Sequence, residues 1–197
     1  MCNFTKGRLE PCKNSLGGIR NMYVMPFIEY GFNQIDVIDG VELISFPETT
    51  VYKYELRADG NNFSEDLQVD DNGDSYSQSL NVVLKKISLE TSRQLKILSK
   101  IELRVIFQDR NGKYLILGLH NGVNMDFNTS TGGSKSDFNG YNLTFSGLEQ
   151  YKAPFIDNLY DTGFNIDGDI TETFKILQES QDDLLQESND KILLENG

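Results

Sequence analysis

Short runs of apolar and β-branched residues, separated by turn signals, fill most of the chain and predict a mainly β protein. Residues 50–56 are rich in Thr, Val and Tyr, which pleated surfaces favour. Residues 62–69 alternate between apolar and polar side chains, although Glu65 interrupts the apolar face. The pattern predicts further strands at 22–28, 34–38, 41–46, 75–86, 123–127 and 141–145.

A hairpin and one internal helix are the most distinct local features. Asn111-Gly112 lies between the apolar runs 101–108 and 114–119, and this pair tolerates the positive φ angles of tight hairpins. Residues 89–100 contain neither Gly nor Pro and follow Ser88, a good N-cap, so we predict a short helix there. A polar loop rich in Gly and Ser is expected at 127–140 and is long enough to be functional.

The C-terminal segment has a different pattern from the rest. Asp169 followed by Glu172 resembles a helix start, and an apolar stripe at helical spacing comes after it. The stripe consists of Ile170, Phe174, Leu177, Leu184, Leu185 and Ile192. Such a stripe needs a partner, which is either the chain's own body or a neighbouring subunit. We therefore expect an N-terminal arm (1–20), a β-sandwich or barrel body (21–156) and an acidic tail with an amphipathic helix (157–197).

The net charge of −12 is concentrated in the tail. Residues 157–197 hold 11 acidic and 2 basic residues, whereas residues 1–156 hold 19 and 16. Neither part has the basic patch that binds nucleic acid through its phosphates, so no specific nucleic-acid binding is expected. The apolar runs are too short to cross a bilayer, which takes about 20 residues, and no apolar leader begins the chain, so we expect no stable membrane insertion.

One acidic cluster has the spacing that opens a calcium-binding loop. Asp70, Asn72 and Asp74 match the first three ligand positions of an EF-hand. The match then fails, because Ser75 occupies the glycine position and Asn81 the position of the bidentate Glu. A hairpin turn is the better interpretation, and no metal site is predicted.

Candidate catalytic residues are few. His120 is the single histidine, and Cys2 and Cys12 are the two cysteines, which cannot build a four-ligand zinc site with it and are expected to be unpaired thiols. No nucleophile elbow or phosphate-binding loop occurs. A pair of carboxylates for glycoside hydrolysis stays open, because their separation in space decides. The sequence predicts a protein that is not an enzyme, with no catalytic residues and no cofactor.

The order of strands, one central helix, an Asn-Gly hairpin, a Gly/Ser loop and a closing strand resembles the tail tube family of bacteriophages. The resemblance covers residues 52–155. Its motifs are Tyr54-Glu55-Leu56, Ser79-Leu80, the helix at 89–99, the hairpin at 105–118, and residues 141–147 followed by Ala153-Pro154-Phe155. The last of these, with residues 7–13 and 17–19, is similar to virion proteins of phages of Bacteroides-like hosts, crAss-like phages among them.

The resemblance implies a structural virion protein whose inner sheet joins those of its neighbours into a ring. Such rings form a tail tube or a head-to-tail connector through which DNA passes, and the acidic tail favours a specialised ring or connector. The implied partners are the protein itself and portal, tail or ring proteins, and the implied location is the virion tail, assembled in the host cytoplasm. The expected subunit contacts are Ile170, Phe174, Leu177, Leu184, Leu185, Gly132 and Gly133. The alternative is a β-sandwich binding or decoration module of the virion for a carbohydrate or receptor, with aromatic residues exposed on a sheet face and little self-association.

Overall fold

Two β-sheets pack face to face in the computed structural model, which describes residues 7–10, 12–71 and 73–167. Most of the described residues in regular structure lie in strands, so the expected mainly β fold is confirmed. The predicted amphipathic helix of the tail lies outside the described residues.

The large sheet has eight strands and curls into a half-barrel. Its strands, in chain order, are β1 (Ile19–Pro26), β2 (Asp36–Ile38), β3 (Glu42–Ser45), β4 (Thr49–Glu55), β7 (Leu103–Asp109), β8 (Tyr114–Leu117), β11 (Phe155–Ile156) and β12 (Phe164–Asp167). Their spatial order is β12-β4-β1-β7-β8-β11-β3-β2. The pairs β4–β12 and β3–β11 are parallel, and the others are antiparallel.

The small sheet is antiparallel and consists of two hairpins, which pair with each other through their second strands. Its strands are β5 (Asn62–Asp70), β6 (Gly73–Lys85), β9 (Asn124–Ser130) and β10 (Gly140–Glu149). They are ordered β5-β6-β10-β9, so β5 and β9 are the edges. The β5–β6 hairpin closes with Asp70 opposite Gly73, as expected for the acidic cluster interpreted as a turn.

The described residues contain one α-helix of more than one turn, α1 (Leu89–Leu98). It begins where predicted, and the Oγ of Ser88 accepts the N–H of Thr91 at 3.1 Å. A single turn of helix, α2 (Leu159–Thr162), ends at Gly163, whose φ of +114° places it in the left-handed region. A 3-10 turn occupies Phe32–Gln34.

The central strands β1 and β7 of the large sheet are buried on both faces, and their alternating side chains pack into two separate cores. From β1, Met22 and Val24 pack into the core between the sheets, while Tyr23 and Met25 pack into the core inside the curl. A strand with two buried faces carries a continuous apolar run rather than an alternating one, which is the pattern found at 22–25.

The strands reach beyond their predicted bounds at three places. Strand β1 begins at Ile19, inside the expected arm, and β12 continues the large sheet beyond residue 156. Strands β9 and β10 extend into the expected loop, which leaves 131–139 as the connection. Their polar residues can pair in a sheet because the outward face of the small sheet is open to water.

Candidate functional site

The outward face of the small sheet carries small polar side chains in rows that cross all four strands. One row consists of Ser64, Ser79, Ser146 and Asn124. The adjacent row consists of Asn62, Asn81, Thr144 and Asp126, and within it Thr144 Oγ1 donates a hydrogen bond to Asn81 Oδ1 at 3.0 Å. The pairing is antiparallel without a register shift, so each row is straight and the face is regular.

This face carries few charges and no aromatic residue at the outward positions of its four strands. Its charged side chains are Asp66, Asp70, Asp126 and Lys85. A face of this kind offers hydrogen-bonding groups of both types but neither an aromatic platform nor a basic patch.

The β5–β6 hairpin extends the small sheet beyond the core. Leu67 and Val69 of edge strand β5 are 53% and 72% exposed, although they lie on the same side of the sheet as the buried Leu80. The core therefore ends before them, and the backbone of β5 has one side without a strand partner in the described part of the chain. An exposed edge with apolar side chains is a site where another strand can pair.

Gly132 and Gly133, which the sequence assigns to a subunit contact, lie in the exposed connection between β9 and β10. The Asp137 carboxylate accepts the N–H groups of Gly133 and Ser134 at 2.9 and 2.7 Å. These two hydrogen bonds lower the pKa of Asp137. The connection is therefore held by its own hydrogen bonds, and whether it meets a neighbour stays a prediction. The other predicted contacts, Ile170, Phe174, Leu177, Leu184 and Leu185, lie outside the described residues.

A buried arginine inside the curl of the large sheet was not singled out from the sequence. Arg104 is 1% exposed, and its guanidinium donates to the carbonyls of Leu119 and Ile28 at 2.9 and 2.6 Å. The guanidinium carbon also lies 4.1 Å from the ring centroid of Phe27. Burial lowers the pKa of Arg104 to about 10, although Tyr30 and Glu149 oppose this.

Glu149, at the end of β10, is a buried carboxyl group that binds a neighbouring loop. It is 2% exposed, and its Oε1 accepts the N–H groups of His120 and Asn121 at 3.0 and 2.8 Å. Its Oε2 is buried without a hydrogen-bond partner among the described residues. Burial raises the pKa of Glu149, while the two backbone N–H groups and Arg104 oppose the shift.

Two adjoining cavities of about 330 and 210 Å³ lie beside Arg104 and Glu149. Both are lined by Ile35, Leu119, His120 and Tyr151, and Glu149 lines the larger one and Arg104 the smaller one. The His120 and Tyr151 rings meet edge to face with centroids 5.8 Å apart. Burial, followed by the charge of Arg104, lowers the pKa of His120. The contacts fix two loops to strands β7 and β10, because Arg104 and Glu149 bind backbone groups of residues 28 and 119–121.

The remaining chemical candidates are reported for the described residues only. Across 7–10, 12–71 and 73–167, no group of three or more His, Cys, Asp or Glu side chains is placed to hold a metal ion. Cys12 is exposed and carries a free thiol, and Cys2 lies outside these ranges. None of the helices in the described part is long and apolar enough to cross a membrane.

Comparisons with known proteins identify no relative. No protein-family profile matches the chain, and no curated protein or solved structure is significantly similar to it.

Proposed function

We propose that this protein is a structural virion subunit that forms a ring of a phage tail tube or head-to-tail connector. The observation that carries the proposal is the small sheet, whose edge strands β5 and β9 each have one side without a strand partner among the described residues, and whose outward face is mostly polar. The resemblance of the sequence to tail tube proteins is the reason for placing the ring in a phage tail.

The ring closes when strand β5 of one subunit lies beside strand β9 of the next. The two edges are on opposite sides of one sheet, so the contact is head-to-tail and the same at every subunit. Contacts of this kind generate a ring when the rotation between subunits closes. Pairing satisfies the edge backbone groups and covers Leu67 and Val69, which are exposed in the part of the chain that the structure describes.

In such a ring, the polar outward face of the small sheet lines the channel. Serine, asparagine and threonine side chains are wetted by water, and the three carboxylates among them repel phosphate. A basic lining would instead hold DNA through its phosphates. The face therefore suits a channel through which a duplex moves without binding.

The alternative function, a binding or decoration module, requires aromatic side chains exposed on a sheet face. The outward positions of β5, β6, β9 and β10 carry none. This composition favours assembly over carbohydrate binding at the small sheet.

The test is the mass of the full-length protein in solution by light scattering, with negative-stain images of any large species. We expect rings for the unchanged protein. The variant Val69→Lys places a charge on the β5 edge and should abolish them, while far-ultraviolet circular dichroism stays the same. Leu89→Lys on α1 is the matched control, because Leu89 is 69% exposed against 72% for Val69, and it should keep the rings. A monomer at high concentration, or rings that survive Val69→Lys, would contradict the proposal.

A further inference from the structure

Arg104 and Glu149 each keep one terminal atom without a hydrogen-bond partner among the described residues. Arg104 donates through Nε and Nη1 to two carbonyls, which leaves Nη2 unused. Glu149 accepts two backbone N–H groups on Oε1, and Oε2 accepts none. Both side chains are almost fully buried, and an unmade hydrogen bond of a buried charged group is costly. A partner that the described residues do not supply is therefore expected for a donor and for an acceptor.

The two residues line the adjoining cavities described above, so there is room for such a partner. Glu149 lines the cavity of about 330 Å³, and Arg104 lines the one of about 210 Å³. Strand β2 and the connections after β8 and β10 supply most of the walls of the larger cavity. Its volume is in the range of small-molecule sites, about 300–1,000 Å³, whereas one water takes about 30 Å³. The space therefore fits a small organic ligand.

The charges around the cavities select a neutral ligand. Asp36, Glu149 and Lys152 line the larger cavity, and Glu29 and Arg104 line the smaller one. An anion drawn to Arg104 would meet the carboxyl groups, and a cation drawn to Glu149 would meet Arg104 and Lys152. A neutral ligand that both donates and accepts hydrogen bonds satisfies both sets of groups.

An aromatic side chain stands at the opening of the site. Tyr151 lines both cavities and is 51% exposed, and its ring is held edge to face against His120. The buried Ile35 and Leu119 also line both cavities. A sugar ring matches this arrangement, because its C–H face packs on an aromatic ring while its hydroxyl groups point to polar side chains.

We propose that these cavities bind one neutral sugar residue, whose hydroxyl groups donate to Glu149 Oε2 and accept from Arg104 Nη2, with its C–H face on Tyr151. A hydroxyl group serves both roles, because it carries one donor and two acceptor lone pairs. The site lies away from the outward face of the small sheet. The inference does not depend on the proposed ring, because a monomer can bind the sugar equally well.

Saturation-transfer difference NMR on the full-length protein tests the ligand class. The probes are glucose, galactose, mannose and N-acetylglucosamine at millimolar concentration, with the amino sugar and the uronic acid of the same ring as charged counterparts. We expect signal for at least one neutral sugar and a loss of signal for its charged counterparts. No signal for any of the four neutral sugars would mean that the cavities hold water, and it would overturn the proposal, as would equal signal for the charged counterparts.

Two variants place the binding in these cavities. Glu149→Gln keeps the volume of the side chain but replaces the free acceptor by an amide, and we expect binding to weaken by about tenfold or more. Tyr151→Ala should also weaken binding and, at an exposed position, should leave the circular dichroism unchanged. Tyr52→Ala is the matched control, because Tyr52 is 50% exposed and lines neither cavity. Unchanged binding in either Glu149→Gln or Tyr151→Ala, or an equal loss in Tyr52→Ala, would overturn the proposal.

Discussion

Gln78 and Glu65 lie directly opposite each other in the β5–β6 hairpin, and Gln78 Nε2 donates a hydrogen bond to Glu65 Oε1 at 3.1 Å. The same Glu65 oxygen accepts the N–H of Ala153 at 2.7 Å, and Gln78 Oε1 accepts the N–H of Gly118 at 3.1 Å. The pair thus ties the small sheet to two connections of the large sheet. This is why a carboxylate occurs on the otherwise apolar face of β5.

Replacing Gln78 by leucine should destabilise the protein. The side chain is 2% exposed, and its loss leaves the buried N–H of Gly118 and one hydrogen bond of Glu65 unsatisfied. We expect a loss of about 2 kcal/mol in the free energy of unfolding. Urea denaturation measures it. Ser79→Ala, one residue further on the outward face, should change stability by less than about 0.5 kcal/mol. Equal effects of the two substitutions would refute this role.

Arg104 should be one of the most sensitive positions in the body. Arg104→Met keeps the volume of the side chain but leaves the carbonyls of Leu119 and Ile28 without their donor. It also removes the cation that favours ionised Glu149. We expect a loss of about 3 kcal/mol in urea denaturation. The control is Arg57→Met, because Arg57 is exposed and its salt bridge with Glu55 is worth at most about 1 kcal/mol. If Arg104→Met is no worse than Arg57→Met, the guanidinium does not hold the loops.

Strands and the helix were predictable where local chemistry decides them. Ser88 marks the start of α1, and Asn111-Gly112 marks the turn between β7 and β8. Strand pairings between distant segments are harder to predict from sequence. No local pattern shows that Phe164–Asp167 adds a strand beside β4. The length of β9 was also hidden, since its polar residues are stabilised by their partners in β10.

The buried polar residues show a second limit of the sequence. Arg104 stands alone among Leu103, Val105 and Ile106, and a lone charge in a strand buried on both faces is a signal that could have been used. Glu149 gives a weaker signal, because it lies four residues beyond the predicted strand 141–145, where a charged residue is expected to be exposed to solvent. Its burial comes from the loop at 120–121 that folds over it.

Glu149 should make the stability of the protein depend on pH. Burial raises the pKa of its carboxyl above the ordinary value of 4.5, so the folded state holds the proton more tightly than the unfolded state. The stability that this adds is fully present below pH 4.5 and is lost as the pH rises through the folded pKa. Glu149→Gln has no carboxyl group to titrate at this position. As the pH rises above 4.5, the free energy of unfolding of this variant should therefore fall less than that of the unchanged protein. Parallel curves for the two proteins in urea denaturation would contradict the assignment.

His120 should act in the opposite direction. Burial and the charge of Arg104 lower the pKa of its imidazole below 6.5, so the unfolded state takes up the proton first as the pH falls. The corresponding stability is present above pH 6.5 and is lost below it. His120→Gln should therefore flatten the acid side of the stability curve. Measuring both single variants separates the two contributions, because one grows with rising pH and the other with falling pH. An unchanged acid limb in His120→Gln would show that another group is responsible.

Gly140 offers the sharpest test of the close contact between β6 and β10. A Cβ on Gly140 would clash with the carbonyl oxygen of Leu84, a backbone atom that cannot turn aside. Gly140→Ala must therefore push the strands apart at the point where the 131–139 connection returns to the sheet. We expect a loss of about 2–3 kcal/mol in urea denaturation, the range of overpacked sites.

The matched control is Gly17→Ala, because a Cβ there meets nothing within 4 Å and its φ is not in the left-handed region. It should be neutral or slightly stabilising, since alanine restricts the unfolded chain. If the polar face of the small sheet lines a channel, Gly140→Ala should also reduce ring formation at protein concentrations where Gly17→Ala still assembles. Full stability of Gly140→Ala would mean that β6 and β10 are further apart at this end than the register at Gly140 and Lys85 requires.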